Sequence, residues 1–589
     1  MKIQAKNKSA LMKASLGLID SDLVITNIQL VNVITGEIYP AHVYVYDGMI
    51  SHVETKNFHE LKAKEVFDGQ GKYLIPGFVD AHDHIESSML TPRNFAKAVI
   101  PNGTTTIVMD PHEIGNVCGK DGVYYMHEIS EDLPMRQYID IPSCVPAAVG
   151  LENAGAEFSY KEVEELANLE RCIGLAEVMD YIGVIEQDDR MMDILNVIED
   201  KGLYIQGHAP FVSGRDLSTY IIAGPNTCHE SSNGEETLEK LRNGMYVDAC
   251  DSSIAENVKD IIEGIKDNIS LYDYLCLCTD DREADDILTR GHVNDVARHA
   301  IQCGLDPIIA IKCGTLNVAR EIHIENLGAI APGFVADMLL VEDLHELKPS
   351  SVFFEGKLVA QDGKMVVDIE EKTHPLELKN TMFVKELKED DFVIKAPIEN
   401  GTVTVNVMDY PTLVVPDTEL SQMQLLVENN VLKLKDENLK YVAVINRHEG
   451  KDTICLGVTK GFGILKGALA STVSHDSHNL VIVYDDPSNA LIAANALIQC
   501  GGGMCAVDKG NILYTLELPL GGLMSLKDAH EVSADNKKMK KAINELGLVD
   551  IHNPLLRIVT LSLPVVPYVK ITDLGLVDVT KKEFIPLFV

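Results

Sequence analysis

The sequence predicts an α/β protein built around a parallel β/α barrel, with β-rich and α+β segments on either side of it. Between residues 76 and 326, short apolar, strand-like runs recur, and helical stretches separate most of them. Most of these runs end in a polar residue, as expected where the carboxyl ends of barrel strands form one rim. Because 589 residues are too many for one compact core, two or three domains are expected.

The first run, PGFVDAHDHIESS, contains His82 and His84. Alternate side chains of a strand point to the same face, so both imidazoles can reach one cation. Two histidines at this spacing also occur on ordinary wet strands, so the spacing alone is a weak indication. The position at the end of an apolar run makes a metal site the hypothesis to test.

Polar residues also follow later strand-like runs. They are Asp110, Glu177, His208, His229 and Asp280. Taken singly, each has an ordinary alternative, such as a satisfied histidine, a helix cap or a solvated acidic turn. Their common placement at strand ends favours one shared site that combines a carboxylate able to bridge, two further histidines and a late aspartate.

The motifs around these residues resemble the amidohydrolase superfamily and, within it, the bacterial adenine-specific deaminases. Seven collinear strings carry the resemblance over nearly the whole chain: HDHIESSMLTP, MDPHEIGNV, PSCVPA, GLAEVMDY, CHES, LCTDDR and TVSHDSHN. The resemblance implies hydrolytic deamination of adenine to hypoxanthine and ammonia in purine salvage, by a metal-bridged hydroxide that attacks C6 of the purine.

It also implies two divalent metal ions per subunit. Six residues would hold them: His82, His84, Glu177, His208, His229 and Asp280. The first two histidines would bind one ion and the last two the other, with Glu177 as the bridge. Asp280 would accept the proton of the hydroxide and pass it to the departing amine. Imidazole and carboxylate ligands fit Mn(2+) or Fe(2+), and also Zn(2+).

Asp110 is expected to join Asp280 and Glu177 as a catalytic residue, either by orienting a metal-bound histidine or by meeting the purine. The alternative is a turn that Asp110 opens with Pro111. Seven further residues are candidates for substrate binding: Glu86, Ser87, Glu113, Asp281, His475, Asp476 and His478. Glu86 and Ser87 have an equal alternative, which is to cap the first barrel helix.

Asp281 would point to the opposite face if the strand before it continues. The string TVSHDSHN, far from the barrel in sequence, has two interpretations. A C-terminal loop folded over the barrel mouth would exclude water and complete the purine pocket. A turn that stabilises its own domain is the other interpretation.

The β-rich segments flank the barrel. Residues 23–73 alternate strand-like runs with turn signals, and the chain returns to β patterning after residue 326, with Gly356 and Gly363 in turns. In the superfamily, such segments resemble two halves of one β-sandwich domain. The predicted domains are a composite β domain (1–75 plus 327–385), a catalytic barrel (76–326) and a C-terminal α+β domain (386–589).

Within the C-terminal domain, TVTVNVMD, QLLVENNVLKL and YVAVINR are predicted strands, and DPSNALIAANALIQCG is a predicted helix.

Charge and composition limit the kinds of molecule that the protein is expected to bind. The net charge of −38 argues against nucleic acid and anionic membranes, and favours a neutral or cationic small molecule such as a purine. No apolar stretch is long enough to span a membrane, and no signal peptide is recognisable. Twelve cysteines without a CxxC pair suggest reduced thiols in the cytoplasm. A chain of this size is a possible homo-oligomer.

Three functions compete. The first is an adenine deaminase, and the second is another cyclic amidohydrolase or a guanine deaminase with the same ligands. Many bimetal members carry a carboxylated lysine where this chain has Glu177, which disfavours a hydantoinase-like activity. The third is a barrel scaffold without catalysis, which is disfavoured because all six ligand positions are retained.

Overall fold

The computed structural model describes residues 1–57, 61–254, 256–266, 268–413, 417–549, 551 and 553–589. One helix and five strands precede the barrel: α1 (Lys8–Ser15), β1 (Ser21–Asn32), β2 (Glu37–Tyr46), β3 (Met49–Glu54), β4 (Ala63–Asp68) and β5 (Tyr73–Pro76). Within the ranges described, no helix is both long and apolar enough to cross a membrane.

Eight parallel strands then form the barrel: β6 (Phe78–Asp83), β7 (Thr104–Met109), β8 (Arg136–Ile141), β9 (Cys172–Val178), β10 (Tyr204–Gly207), β11 (Thr227–Cys228), β12 (Tyr246–Cys250) and β13 (Leu275–Cys278). Strands β6 to β10 form one hydrogen-bonded run and β11 to β13 another. Asn226 N–H donates to Ile205 O (3.1 Å) at one junction, and Asp280 N–H donates to His82 O (3.0 Å) at the other. The barrel is therefore closed, and the predicted fold class is confirmed.

Helices surround these strands: α2 (Pro92–Val99), α3 (His112–Cys118), α4 (Lys120–Ile129), α5 (Tyr160–Leu166), α6 (Tyr181–Glu186), α7 (Asp189–Lys201), α8 (Gly214–Ile222), α9 (Gly234–Arg242), α10 (Val258–Ile265), α11 (Ala284–Thr289), α12 (Val293–Gln302), α13 (Pro307–Cys313) and α14 (Leu316–Glu321). Every residue of β6 and β7 is buried. This is expected of parallel strands that helices cover on one face and the barrel core covers on the other.

Four strands follow the barrel: β14 (Met338–Val341), β15 (Pro349–Phe354), β16 (Lys357–Gln361) and β17 (Lys364–Met365). Strand β14 pairs antiparallel with β5, so strands from both sides of the barrel share one nine-stranded sheet. The rings of Phe67 in β4 and Phe353 in β15 meet edge to face at 5.1 Å, so the two halves of this sheet pack face to face. The domain boundaries drawn from the sequence stay predictions.

The described part of the C-terminal region contains twelve further strands and two α-helices: β18 (Gly401–Asp409), β19 (Glu419–Glu428), β20 (Val431–Lys433), β21 (Leu439–Ile445), β22 (Ile454–Lys460), β23 (Ala468–Ser471), β24 (Leu480–Tyr484), α15 (Pro487–Cys500), β25 (Gly503–Asp508), β26 (Asn511–Glu517), α16 (Ala529–Leu546), β27 (Val569–Ile571), β28 (Leu576–Asp578) and β29 (Glu583–Ile585). Strands β18 to β26 form a second nine-stranded sheet. The predicted helix is α15.

Two features of this region were not predicted. The run QLLVENNVLKL is a hairpin, because Asn429 and Asn430 both have positive φ (54° and 62°) and turn the chain between β19 and β20. Helix α16 was missed, although Asp528 caps its first turn through the Glu531 N–H (2.9 Å).

Gly103 gives a test of how tightly the barrel is joined to the flanking sheet. Its φ is +94°, and a Cβ there would lie 2.6 Å from Leu339 Cδ1 in β14. Gly103→Ala should destabilise the protein by about 2–4 kcal/mol, because backbone strain and steric overlap add. Gly71→Ala is the matched control: its φ is +77°, but nothing lies within 4 Å of the new Cβ. Chemical denaturation should show a clearly larger loss for Gly103, and equal losses would contradict the packing account.

Candidate active site and metal cluster

Residues that end five barrel strands meet at one rim. His82 belongs to β6 and Glu177 to β9, while His84, His208 and His229 directly follow strands and Asp280 lies two residues after β13. Their side-chain nitrogen and oxygen atoms form overlapping groups in which every ligand atom lies within 4.8 Å of the others. The structure therefore brings the six sequence-predicted metal ligands together.

Glu177 lies at the centre of this cluster. Its Oε1 atom lies 3.5 Å from His84 Nε2 and 4.0 Å from His82 Nε2. Its Oε2 atom lies 2.5 Å from His208 Nδ1 and 3.3 Å from His229 Nε2. Each oxygen thus faces a separate pair of histidines, which is the arrangement expected of a carboxylate that bridges two cations.

The His82 and His84 rings are held by their Nδ1 atoms. His82 Nδ1 donates to Gln206 Oε1 (2.8 Å), and His84 Nδ1 donates to the Asp110 backbone oxygen (3.1 Å). Both Nε2 atoms therefore face the cluster as acceptors, where Asp280 Oδ1 lies 3.7 Å from one and 3.3 Å from the other. This is how outer partners commonly orient metal-binding imidazoles.

Burial governs the electrostatics of the cluster. Burial by itself raises the pKa of Glu177, but the neighbouring His208 and His229 outweigh it and hold that pKa well below its usual range. His82 and Glu177 are almost completely buried, whereas the side chains of His208 and Asp280 keep 17% and 13% of their surface. The cluster is therefore most open on the side of His208 and Asp280.

Asp110 orients a histidine, but a different one from the metal ligands. Its carboxylate accepts hydrogen bonds from the His112 backbone N–H (3.0 Å) and from His112 Nδ1 (2.8 Å). The turn alternative for Asp110 is therefore present in the structure, and its catalytic role stays a prediction. His112 Nδ1 lies 3.7 Å from Glu177 Oε1, and its Nε2 points away, toward Asp476 and Cys144.

Asp281 also faces the site. Asp280 adopts a left-handed backbone conformation (φ 53°), so the strand does not continue and the chain turns back. The Ser87 hydroxyl contacts Asp281 and lies 2.8 Å from Glu113 Oε1, which joins three predicted substrate residues in one network. Burial raises the pKa of Asp281 to about 7, and the adjacent Asp280 adds to this shift.

The capping alternative for Glu86 and Ser87 is wrong. The first barrel helix, α2, is capped by Thr91, whose hydroxyl accepts from the Asn94 N–H (3.4 Å). Glu86 instead accepts from the Ile114 N–H (3.2 Å) in α3, and burial followed by the nearby Glu113 raises its pKa to about 8.

A loop of the C-terminal region, residues 472–479, lies over the barrel mouth. Asp476 Oδ1 is 3.6 Å from His112 Nε2, His475 Nε2 is 3.7 Å from Glu113 Oε1, and His478 Nε2 is 3.9 Å from Glu113 Oε2. All three loop side chains are buried. The site is therefore assembled from two parts of the chain that are distant in sequence.

Arg447 holds this loop from behind. It is fully buried and donates to the backbone oxygens of His478, Thr381 (3.2 Å) and Gly521 (2.8 Å). His448 adds a bond from Nε2 to Ser477 O (2.7 Å). Burial lowers the pKa of Arg447 to about 10.

Sequence reasoning missed Gln206, Cys144 and Arg447, and left His112 without a role. Gln206 could have been predicted from the sequence, because a residue two positions before His208 on a strand lies on the same face of that strand. Arg447 gave no local signal, since its partners are backbone atoms from three distant segments.

The cluster fits divalent metal ions. Imidazole and carboxylate groups are the ligand types that Mn, Fe(II) and Zn take. His82 Nε2 is buried and has no hydrogen-bond partner among the described residues, as expected of a nitrogen atom that binds a cation. A closed barrel that carries this cluster at the carboxyl ends of its strands is a metal-dependent hydrolase.

Comparison with known proteins identifies the family. Residues 73–359 match the amidohydrolase family model, and residues 417–583 match the model of the adenine deaminase C-terminal domain. The chain is 38% identical to "Adenine deaminase 2" of Carboxydothermus hydrogenoformans, over 98% of this chain and 99% of that protein. Similar matches are the adenine deaminases of Kosmotoga olearia (37%; 97% of both chains) and Moorella thermoacetica (38%; 98% and 97%). The chain belongs to the adenine deaminase family of amidohydrolases.

Arg447 provides a test of the loop's attachment. Arg447→Lys replaces the forked guanidinium by a single ammonium group, which cannot keep the bonds to His478, Thr381 and Gly521 together. The loop is then held less firmly, and kcat/KM for adenine should fall about tenfold or more with metal content unchanged. Arg557→Lys is the matched control, because Arg557 is also buried and donates to backbone oxygens, including Phe462 O (3.1 Å), outside this loop.

Both variants should lose similar thermal stability, on the order of 1–3 kcal/mol. Only the Arg447 variant should lose activity. An equal loss of kcat/KM in both would mean that Arg447 acts on stability alone.

Proposed function

We propose that the protein converts adenine to hypoxanthine and ammonia at the Glu177 cluster. The observation that carries the proposal is the placement of the two Glu177 oxygens against separate pairs of histidines. Family membership supplies the substrate, and the buried cluster supplies groups that suit hydrolysis of a ring C–N bond.

Two divalent ions would be held as follows. His82, His84 and Asp280 would hold one ion, His208 and His229 would hold the other, and Glu177 would be shared between them. Mn(2+) or Fe(2+) suits this donor set best, and Zn(2+) also fits it. When bound, such ions lower the pKa of a water molecule and so provide a nucleophile at neutral pH.

Asp280 is the proposed proton carrier. It is the carboxylate of the cluster that keeps an open side, and its Oδ1 atom lies within 3.7 Å of both His82 and His84. As an anion it accepts a proton from the attacking water, and as an acid it returns that proton to the amine leaving C6. Asp110 contributes by orienting His112 through its carboxylate and His84 through its backbone oxygen.

The purine would lie between the cluster and the 472–479 loop. The residues proposed to line this space are Glu86, Ser87, Glu113, Asp281, His475, Asp476 and His478. Hydroxyl and imidazole groups there can donate to the ring nitrogens, and the loop excludes water from the reacting carbon. A dry pocket strengthens each of these hydrogen bonds.

We also propose a cellular location, a class of ligand and an assembly state. All twelve cysteines are free thiols, which supports a cytoplasmic location. The net charge of −38 supports a small neutral substrate over nucleic acid or an anionic membrane. A homo-oligomer is the assembly to look for.

The test is ultraviolet spectroscopy of adenine and adenosine, each incubated with Mn-loaded protein. Wild type should convert adenine, and Glu177→Gln should lose at least about 100-fold in kcat together with bound metal, because a neutral amide cannot bridge two cations. Glu170→Gln, on the exposed surface, is the matched control and should behave as wild type.

Conversion of adenosine in place of adenine would show that the pocket assignment is wrong. If two metal ions bind per chain and neither purine reacts, the protein is another cyclic amidohydrolase.

A further inference from the structure

The 472–479 loop brings to the active site one carboxylate oxygen that has no hydrogen-bond partner among the described residues. Asp476 is 1% exposed, and its Oδ2 atom has no hydrogen-bond partner among the residues described. The Oδ1 atom lies 3.6 Å from His112 Nε2 and 3.7 Å from His475 Nδ1. Because an ionised carboxylate only accepts hydrogen bonds, Oδ2 is matched only when a donor arrives from outside the chain.

A second buried acid lies beside it. Glu152, on the barrel loop after β8, is 3% exposed, and its Oε2 atom also has no partner in the described part of the chain. Burial raises the pKa of Glu152 to about 8, and the nearby Asp476 adds to the shift. Because Glu152 with this pKa keeps its proton at neutral pH, Asp476 is the accepting carboxylate at this end of the site, and the Glu177 cluster lies at the other end.

His112 separates the two ends, with Nδ1 3.7 Å from Glu177 Oε1 and Nε2 3.6 Å from Asp476 Oδ1. A planar molecule beside that imidazole would have one end at the cluster and the other at Asp476. With the reacting C6 at the cluster, the five-membered ring of the purine is at the Asp476 end.

A free purine base and a nucleoside differ at this end. The free base carries a ring N–H, at N9 in its common tautomer, whereas in a nucleoside N9 is bonded to the sugar. We propose that Asp476 is a specificity-determining residue that accepts the five-membered-ring N–H of the free base and so rejects N9-substituted purines. This inference rests on the proposed adenine deaminase function.

The packing of the 472–479 loop also disfavours purines that carry a substituent at N9. His475, Asp476, Ser477 and His478 are each 7% exposed or less, so the loop is closely packed around Asp476. A substituent at N9 would both remove the donor and meet the packed loop. Sites built to hydrogen-bond a substrate N–H or O–H discriminate far more strongly against analogues without it than apolar pockets do.

The experiment compares adenine with 9-methyladenine, a small probe that lacks only the N9–H. Wild type, loaded with Mn, should prefer adenine by about 10⁴-fold in kcat/KM. Asp476→Ala should lower kcat/KM for adenine by about 10²–10³-fold and leave 9-methyladenine unchanged or improved, so the preference should fall at least about 100-fold. Asp476→Asn keeps the volume and should give an intermediate preference.

Asp573→Asn is the matched control. Asp573 is equally buried and accepts from the Asn153 backbone N–H (3.0 Å) and from Asn446 Nδ2 (3.1 Å) behind the loop. Its substitution should affect both substrates by the same factor. Binding of hypoxanthine and 9-methylhypoxanthine, measured by calorimetry, gives the same ratio for any variant too slow to assay.

An unchanged preference in both Asp476 variants, with metal bound and the fold intact, would overturn the inference while leaving the proposed function standing. If wild type does not deaminate adenine, the proposed function fails and this inference fails with it.

Discussion

The burial of the Glu177 carboxylate is the constraint on which the rest of the site depends. An isolated carboxylate in a protein interior costs several kcal/mol, and only close partners of opposite polarity offset that cost. Four imidazoles provide them here, and they come from three different strand ends. They converge only because the parallel strands close into a barrel whose carboxyl ends lie at one level. The imidazoles that stabilise the buried Glu177 carboxylate are therefore in place only when the barrel is closed.

The C-terminal region completes what the barrel alone leaves open. A rim of strand ends is a shallow surface, and chemistry that must exclude water needs a cover. The 472–479 loop supplies it, and the buried guanidinium of Arg447 joins that loop to the backbone at Thr381 and at Gly521. Arg447 donates to carbonyl oxygens, to the Thr381 hydroxyl and to the Met382 sulfur, all of them neutral groups, so its charge does not neutralise any acid of the site. This leaves the carboxylates free to meet a ligand.

The sequence was sufficient to predict the barrel and the meeting of six polar residues at its rim, because alternation along strands and polar residues at strand ends are local patterns. It was insufficient where tertiary contacts decide. The turn at Asp280 depends on a left-handed backbone conformation, and no neighbouring glycine in the sequence indicates it. The Asn429–Asn430 hairpin turn lies inside a run that has the pattern of a single strand. Asp476 could be noticed in the sequence, but its orphaned oxygen atom exists only once two distant segments meet.

The composite sheet has a consequence for synthesis of the chain. Strand β5 emerges from the ribosome well before β14, its antiparallel partner, because the whole barrel is encoded between them. A nascent chain that stops after the barrel already contains every metal ligand, yet one edge of its first sheet is bare. Such an edge pairs readily with another copy of itself. Only the complete chain covers that edge, so synthesis through β14 also removes a site at which two copies could pair.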